Sequence, residues 1–297
     1  MIGHTVAAAG RTLALGERPW LMGIVNASPD SFSDAGAYPD LDARVARAAE
    51  LLAAGAQIID VGGESGITLR RPVAVDEEIA RVVPLVRLIA GELGAIVSVD
   101  TYKPPVAQAA IEAGAVIVND VSGLRDPALA DVCARTGAAL VLMHTRAVPK
   151  QRLQDPELYD DVVADVLGFL AERMQVARER GVAAEQLIVD PGPDFAKTPA
   201  QTIALLSRLD ELHELGRPLL LAVSRKDFVG ALTARAPGER LAGTLAAIGH
   251  GVDAGAQILR VHDVAAAGDF LAVRAALRGE AAVDAQLALD DAIRHAR

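Results

Sequence analysis

The sequence contains few of the residues on which several classes of protein depend. Its 297 residues include one cysteine, Cys133, so a disulfide within the chain and a zinc cluster built on cysteines are both excluded. Aromatic residues make up only 3%, and no apolar run is long enough to cross a membrane. Lysine and arginine number 29 against 39 acidic residues, and the formal charge of -10 argues against a general nucleic-acid or anionic-membrane binder.

The apolar content, in contrast, is high. Hydrophobic residues make up 52% of the chain, which predicts a sizeable core rather than disorder. The length suits one (β/α)8 barrel, a fold of typically about 250 residues. The alanine-rich N-terminus is interrupted by His4 and Arg11, so it is not typical of a signal peptide. We therefore predict a compact protein of cytoplasmic localisation that binds neither nucleic acid nor membrane.

A short motif recurs along the chain and indicates the fold class. Ala-Gly-Ala followed by apolar residues and then a polar one occurs at 54–60, 113–119 and 254–260, with a looser copy at 136–142. Glycine after an amphipathic stretch is typical of a helix C-terminus, and the apolar run is typical of a strand buried on both faces. Buried strands that alternate with helices predict a parallel sheet.

Eight such strands can be counted, so we predict an α/β fold, a (β/α)8 TIM barrel that forms a single domain over residues 1–297. Residues 1–17 are expected to form a short N-terminal β-hairpin, and 280–297 a C-terminal extension. Helical periodicity predicts a long helix over 157–180, and proline follows a capping residue at Asp155, Asp126 and Thr198. The predicted strands are 21–25, 57–61, 96–99, 116–118, 139–143, 187–189, 219–223 and 258–261.

Polar side chains follow each of the eight strands, where a barrel of this kind has its active site. Carboxylates and amides follow strands three, four and six, and they suit the paired N–H groups of a flat heterocycle. Cations follow strands seven and eight, where barrels commonly hold phosphate, and Asn26 could bind Mg²⁺. The residues suggest an enzyme acting on a heterocycle that bears phosphate or pyrophosphate. They are Asn26, Asp60, Asp100, Asn119, His144, Asp190, Lys226, Arg260 and His262.

Eight short motifs in order then give the sequence a family resemblance over nearly the whole chain. The first runs from Asn26 to Asp34, the second is Asp60-Val61-Gly62-Gly63-Glu64-Ser65, and another is Ser224-Arg225-Lys226. In this order and register, the motifs make the sequence resemble the dihydropteroate synthases, a family of pterin-binding enzymes. The others are Ser98-Val99-Asp100-Thr101, Asn119-Asp120-Val121-Ser122-Gly123, Met143-His144, Asp190-Pro191-Gly192 and Arg260-Val261-His262-Asp263-Val264.

The resemblance implies a reaction and a role for each matching residue. The reaction is the condensation of 6-hydroxymethyl-7,8-dihydropterin pyrophosphate with 4-aminobenzoate, with release of pyrophosphate, by a homodimer that uses Mg²⁺. By carry-over, the pterin would be held by Asp100, Asn119, Asp190 and Lys226. The pyrophosphate would be bound by Arg260, His262 and Asn26, with Asn26 also the ligand of Mg²⁺. The aminobenzoate would lie near Phe32, Phe195 and Lys226. The catalytic residues would be Asp100, Lys226, Arg260 and His262.

The second family motif departs from the usual pattern after Ser65. The family usually continues Thr-Arg-Pro-Gly, whereas this chain has Gly66 and Ile67 at the first two of those positions. A shifted loop could present Thr68 and Arg71 instead, and loops tolerate such shifts. Neither pair is carried over as functional.

Two acids depart from the pattern on the acceptor side. Asp227 stands where serine or threonine is common after Ser-Arg-Lys, and either it faces the acceptor's carboxylate or it N-caps the next helix. Asp194 and Ala196 replace glycines around Phe195, which narrows backbone freedom. The two acids together motivate the hypothesis of an altered acceptor, an amine without a carboxylate.

Two other functions therefore remain open alongside the synthase. One is a divergent paralogue that uses another acceptor or only binds a pterin. The other is a pterin-dependent methyltransferase on the same barrel, which would not need the cations Lys226, Arg260 and His262. Away from the ligands, we expect Arg225 to pair with a carboxylate and Cys133 to pack in the core.

Overall fold

The chain begins with a two-stranded antiparallel hairpin. The computed structural model describes residues 3–16, 18–27, 40–64 and 71–294. Strands β1 (His4–Ala8) and β2 (Arg11–Leu15) pair in register from His4 opposite Leu15 to Ala8 opposite Arg11. Ala9 and Gly10 connect them, both with positive φ, as a two-residue hairpin turn requires. The N-terminal hairpin predicted from the sequence is confirmed.

Eight parallel strands follow and form the predicted barrel. Their order around the sheet is sequential, and β10 pairs with β3 as well as with β9. A parallel bridge between Val189 and Leu219 joins the first and last strands of that order, so the sheet closes on itself. The strands are β3 (Trp20–Asn26), β4 (Ile58–Gly62), β5 (Ile96–Asp100), β6 (Ile117–Asp120), β7 (Ala139–Met143), β8 (Leu187–Asp190), β9 (Leu220–Leu221) and β10 (Ile258–Val261).

Helices connect the barrel strands on the outside. Asp40 caps α1, and Thr198 caps α6 in a capping box, as its sequence predicts. No helix in the parts of the chain that the structure describes is both long and apolar enough to span a bilayer. The helices are α1 (Leu41–Ala53), α2 (Val75–Gly91), α3 (Pro104–Glu112), α4 (Ala128–Thr136), α5 (Val162–Glu179), α6 (Pro199–Ser207), α7 (Asp227–Thr233), α8 (Leu241–Asp253), α9 (Val264–Leu277) and α10 (Asp291–Arg294).

The predicted start of the long helix, at 157, is wrong by five residues. Helix α5 begins at Val162, because Asp161 accepts hydrogen bonds from the backbone N–H groups of Val163 and Ala164. Asp155 instead stabilises a separate turn, accepting from the N–H of Glu157. The capping residue of α5 is thus Asp161, six residues after the predicted one, and only the tertiary context distinguishes the two aspartates.

Two apolar cores lie on opposite faces of the barrel wall. The larger fills the space between strands and helices and includes the buried Cys133, as predicted. The smaller fills the barrel interior, where Met22, Ile58 and Ile258 meet the hairpin residues Val6 and Leu13. The hairpin thus covers the end of the barrel at which the strands begin. Only the opposite end is left for a ligand, in keeping with the usual place of a barrel active site.

Alternate residues of each strand point into the barrel, and some of them are polar. Ile58, Ile117, Ile188 and Ile258 belong to the interior core. Two residues further along the same four strands come Asp60, Asn119, Asp190 and Arg260. Because alternate residues of a strand share a face, these four polar side chains project into the barrel above its apolar floor.

Candidate active site

A cavity of about 490 Å³ opens at the ends of the strands above this floor. Its wall combines acids, amides and cations that come from strands all around the barrel. Seven of the residues predicted from the sequence to be functional, together with Phe195, line it. They are Asn26, Asp100, Asn119, Asp190, Lys226, Arg260 and His262.

Asp60 lies at the centre of the hydrogen-bond network below the cavity. It is completely buried, and its Oδ2 accepts from Arg260 Nε at 2.7 Å and from Asn119 Nδ2 at 3.1 Å. Its other oxygen, Oδ1, has no hydrogen-bond partner, and neither has Asn119 Oδ1. Asn119 lines the cavity, so its Oδ1 is a buried acceptor for a ligand that carries N–H or O–H donors.

Asp100 shares the same arginine. Its Oδ2 accepts from Arg260 Nη2 at 2.8 Å, and its side chain is 21% exposed. Burial, together with the nearby charges of Asp60 and Glu78, raises the pKa of Asp100 to about 7, although Arg260 opposes the shift. Near neutral pH this carboxyl can therefore gain or lose a proton, a property typical of groups in active sites.

Asp190 and Lys226 line the far side of the cavity with Phe195. Asp190 Oδ1 accepts from the N–H of Gly192 at 2.7 Å, and burial raises the pKa of Asp190. Lys226 Nζ lies 4.1 Å from the centre of the Phe195 ring, a cation–π contact. Burial lowers the pKa of Lys226, with Asp194 and Asp190 opposing the shift. A flat ring could bind here between an acid and a cation.

His262 is oriented by Ser224. The Ser224 hydroxyl oxygen accepts from the His262 backbone N–H at 3.2 Å and lies 3.0 Å from Nδ1. A hydroxyl that already accepts there still has its own proton to donate to Nδ1, which favours the tautomer with the proton on Nε2. His262 and Arg260 lie two residues apart on and after β10, so both face the cavity.

Comparison with known proteins decides the family. The model for pterin-binding enzymes matches residues 22–262. The dihydropteroate synthase of Bacillus subtilis is 43% identical over 262 residues, covering 88% of each chain. That of Escherichia coli K12 is 42% identical over 257 residues, covering 86% of this chain and 90% of its own. The chain belongs to the dihydropteroate synthase family.

Solved structures of dihydropteroate synthases agree with this assignment. The enzyme of Xanthomonas albilineans with 4-aminobenzoic acid is 42% identical, with a TM-score of 0.85, and the match covers 93% of this chain and 99% of that one. The Yersinia pestis enzyme in a sulfonamide drug complex is 38% identical, with a TM-score of 0.87, and the match covers 93% and 100% of the two chains. The resemblance inferred from the eight motifs is confirmed.

Parts of the first two family motifs lie outside the residues that the structure describes. Phe32, predicted to contact aminobenzoate, lies outside the described residues with most of the first motif, and so do Gly66, Ile67 and Thr68. Arg71 is described and exposed, and it is not among the residues that line the cavity. The structure thus gives no support to a shifted loop that presents Arg71 to a ligand.

The two unusual acids of this synthase each meet a donor of their own. Asp227 does not cap a helix, since Lys226 holds the N-cap position of α7. Its exposed side chain pairs instead with Arg240 Nη1 at 3.0 Å. Asp194 Oδ2 accepts from the N–H of Phe228 at 3.2 Å, at the start of α7. The N-cap interpretation of Asp227 is wrong, and neither acid stands unpaired before an acceptor.

Arg225 plays the expected structural part. Its guanidinium donates to both carboxylate oxygens of Asp263, at 3.0 and 2.7 Å, and this pair links the loop after β9 to the loop after β10. Sequence reasoning placed Asp60 among the polar residues at the strand ends without giving it a role, and it missed the organising roles of Ser224 and Lys197. The signal for Asp60 is its position two residues after an interior isoleucine. The partner of Ser224 lies 38 residues away, and local patterns do not reveal it.

Proposed function

We propose that this protein condenses 6-hydroxymethyl-7,8-dihydropterin pyrophosphate with 4-aminobenzoate to give 7,8-dihydropteroate and pyrophosphate. One observation carries the proposal: a single cavity is lined both by hydrogen-bond acceptors suited to a pterin and by cations suited to a diphosphate. Among the solved relatives, Xanthomonas albilineans dihydropteroate synthase has structures with 4-aminobenzoic acid and with 7,8-dihydropteroate. Both halves of the reaction are thus represented in the family.

In this proposal the pterin lies against Asp100, Asn119, Asp190 and Lys226. Its ring N–H and amino groups would donate to the carboxylates and to Asn119 Oδ1, a buried acceptor without a partner. Lys226 would donate to the ring's acceptors while its ammonium stays against Phe195. The pairing of donors with buried acceptors explains why a polar heterocycle is preferred to an apolar ring.

The reaction breaks the bond between the exocyclic carbon and a pyrophosphate oxygen and forms a carbon–nitrogen bond. The electron pair leaves with pyrophosphate, and the attacking amine gives up one proton. Arg260 and His262 would stabilise the charge that develops on the leaving oxygens. Asp100 would stabilise the electron-poor carbon as the leaving group departs. The arylamine is itself a nucleophile, so no strong general base is required.

Mg²⁺ fits the residues present, with few ligands from the protein. Magnesium usually binds one or two protein oxygens together with water and substrate phosphate. Asn26 offers an amide oxygen at the cavity, and the described residues contain no cluster of three or more acidic, histidine or cysteine ligands. We therefore propose that Asn26 holds the ion together with the pyrophosphate. When bound, Mg²⁺ would neutralise the leaving group.

On the acceptor side, we propose that 4-aminobenzoate lies between Phe195 and Lys226, with Phe32, which lies outside the described residues, as a further contact. The ring would stack against Phe195, and its carboxylate would lie toward the N-terminus of α7. The pairing of Asp227 with Arg240 reduces the repulsion that an isolated acid would exert there. The altered-acceptor hypothesis consequently loses its main motive.

A homodimer is also proposed, through the later helices of the barrel. Val273 and Leu277 lie one turn apart on α9 and are 60% and 82% exposed, and Leu232 on α7 is 69% exposed. A surface with several exposed large apolar side chains often serves as an interface. Light scattering of the wild type and of Leu277→Glu would test it, with a dimer expected only for the wild type. Fractionation of cells would test the proposed cytoplasmic location.

The central test follows pyrophosphate release by purified protein. We expect a signal that requires the dihydropterin pyrophosphate, 4-aminobenzoate and Mg²⁺ together. Release with an uncharged aniline but not with 4-aminobenzoate would support an altered acceptor instead. Methyl transfer from methyltetrahydrofolate to a corrinoid protein, without pyrophosphate release, would contradict the synthase assignment.

A further inference from the structure

Lys197 is a completely buried lysine that the proposed mechanism does not use. It precedes the capping residue of α6 and is the largest fully buried side chain among the described residues. A lysine is rarely buried to this extent unless its donors are satisfied. Nζ donates to His144 Nδ1 at 2.8 Å, to the carbonyl oxygen of Gly192 at 2.9 Å and to that of Phe195 at 3.1 Å.

These three acceptors match the three N–H groups of an ammonium ion. A neutral amine has only two N–H groups, so it could satisfy only two of the acceptors. Burial lowers the pKa of Lys197 to about 7, and the charges of Asp190 and Asp165 oppose that shift. The three hydrogen bonds favour the charged form, since only that form can make all of them.

The two carbonyl acceptors belong to a loop whose backbone is strained. Residues 191–197, here called the β8 loop, contain positive φ at Gly192, Asp194 and Ala196. Asp194 and Ala196 are not glycine, and such residues adopt this conformation only when their surroundings impose it. A Cβ at Gly192 would lie 2.1 Å from the carbonyl oxygen of His144, so the loop is in close contact with the end of β7. Lys197 bonds this loop at Gly192 and at Phe195.

The third acceptor, His144, is itself held in place. Its Nε2 lies 2.9 Å from Asp165 Oδ1, and Asp165 also pairs with Arg146. Burial lowers the pKa of His144 to about 4, so the ring is neutral at neutral pH. Because Nδ1 accepts from Lys197, the ring proton lies on Nε2 and is donated to Asp165. The anchor of the β8 loop thus extends to helix α5, which carries Asp165.

The residue at the tip of the β8 loop is Phe195, and its carbonyl is one of the three acceptors. Its ring lies beneath Lys226 Nζ at 4.1 Å, on the side of the cavity proposed for the arylamine. Lys197 itself does not line the cavity, whereas Phe195 and Ala196 do. A change at Lys197 would therefore reach an arylamine through the position of Phe195 and its neighbour Ala196.

We propose that Lys197 is a positioning residue, whose three hydrogen bonds fix the β8 loop so that Phe195 forms one wall of the arylamine site. This inference rests on the proposed function, because it assigns the Phe195 side of the cavity to 4-aminobenzoate. Asp190 contacts the same loop through Gly192, but it lies on β8 and is held by the barrel sheet. The pterin side should therefore depend less on Lys197.

Lys197→Met tests the inference, because methionine has a similar length and no N–H donor. We expect the KM for 4-aminobenzoate to rise about tenfold, as for the loss of hydrogen bonds from a charged donor. The KM for dihydropterin pyrophosphate should stay within about threefold of the wild type, since Asp100 and Asn119 are unchanged. A residue needed only for folding would lower the melting temperature without separating the two KM values.

Asp165→Asn is the second variant, since Asp165 is partly exposed and its replacement should be tolerated. The substitution weakens the hydrogen bond that holds His144 in place. We therefore expect the KM for 4-aminobenzoate to rise about threefold, in the same direction as in Lys197→Met. Loss of affinity for both substrates in equal measure, or an unchanged KM for 4-aminobenzoate in folded Lys197→Met, would overturn the inference. If the wild type releases no pyrophosphate, the proposed function fails, and equilibrium binding of 4-aminobenzoate then tests Lys197 directly. If wild type and Lys197→Met bind 4-aminobenzoate equally, or if neither binds it, the positioning role of Lys197 is overturned.

Discussion

Replacement of Asp60 by asparagine tests whether one buried carboxylate organises both ends of the site. Asp60 Oδ2 accepts from Arg260 and from Asn119, which we assign to the pyrophosphate and to the pterin. Asparagine has nearly the same shape but no charge, and its amide offers one acceptor in place of two. The variant therefore removes the ion pair without opening a cavity.

The expected size of the effect follows from that contact. A hydrogen bond from a charged donor contributes about 2 kcal/mol, so its loss should lower kcat/KM roughly 30-fold. The same loss should lower the melting temperature by about 4 to 8 °C for a chain of this size. The substitution should also change the pKa of Asp100. The negative charge of Asp60 raises that pKa, so Asp60→Asn should lower it.

The assay is pyrophosphate release as a function of pH, with both substrates varied. Asp131→Asn is the matched control, because Asp131 also pairs with an arginine at 2.7 Å but on the surface. Exposed pairs contribute at most about 1 kcal/mol, so the control should stay within about threefold of the wild type. If Asp60→Asn behaves like this control, Asp60 does not organise the site.

Three other predictions test separate parts of the site. Asp100 has a pKa of about 7, so its carboxylate forms as the pH rises through neutrality and kcat/KM should rise with it. Asp100→Asn should abolish this rise and lower kcat about 100-fold in the same pyrophosphate-release assay. Asp227→Ser should change the KM for 4-aminobenzoate by less than about threefold, because Arg240 already pairs with the exposed acid; a large fall in KM would show repulsion of the acceptor. Chelation of Mg²⁺ should weaken pyrophosphate binding about tenfold or more in calorimetry, and unchanged binding would exclude Asn26 as part of a metal site.

Much of the barrel could be predicted because each strand is buried on both faces. All eight predicted strands overlap observed ones, and Ala139–Met143 and Ile258–Val261 match to the residue. The predicted strand over 219–223 is reduced to Leu220–Leu221, although its neighbouring residues are also buried. An apolar run in the sequence indicates which residues are buried. Buried residues can extend beyond the last residue that pairs with a neighbouring strand, so the run is longer than the strand.

The site was less predictable where its contacts join distant parts of the chain. The sequence correctly indicates that polar residues gather where strands end, but several lie within the strands themselves, as Asp100 does at the end of β5. The contact of Lys197 with His144 spans 53 residues, and that of Arg260 with Asp60 spans 200. No local spacing encodes such pairs, because they arise only when the barrel closes.

The closed barrel also corrects the picture of separate acidic and basic halves. Arg260 does not face Asp60 and Asp100 across an open cavity; it contacts both. Asp190 and Lys226 line the same cavity, so carboxylates and cations are mixed at short range. An incoming pyrophosphate therefore meets a site whose arginine is already neutralised by carboxylates, and like charges at short range in a medium of low dielectric repel strongly. A divalent cation that enters with the substrate would relieve that repulsion. The same burial that lets the acids hold a pterin thus makes the diphosphate end depend on added positive charge.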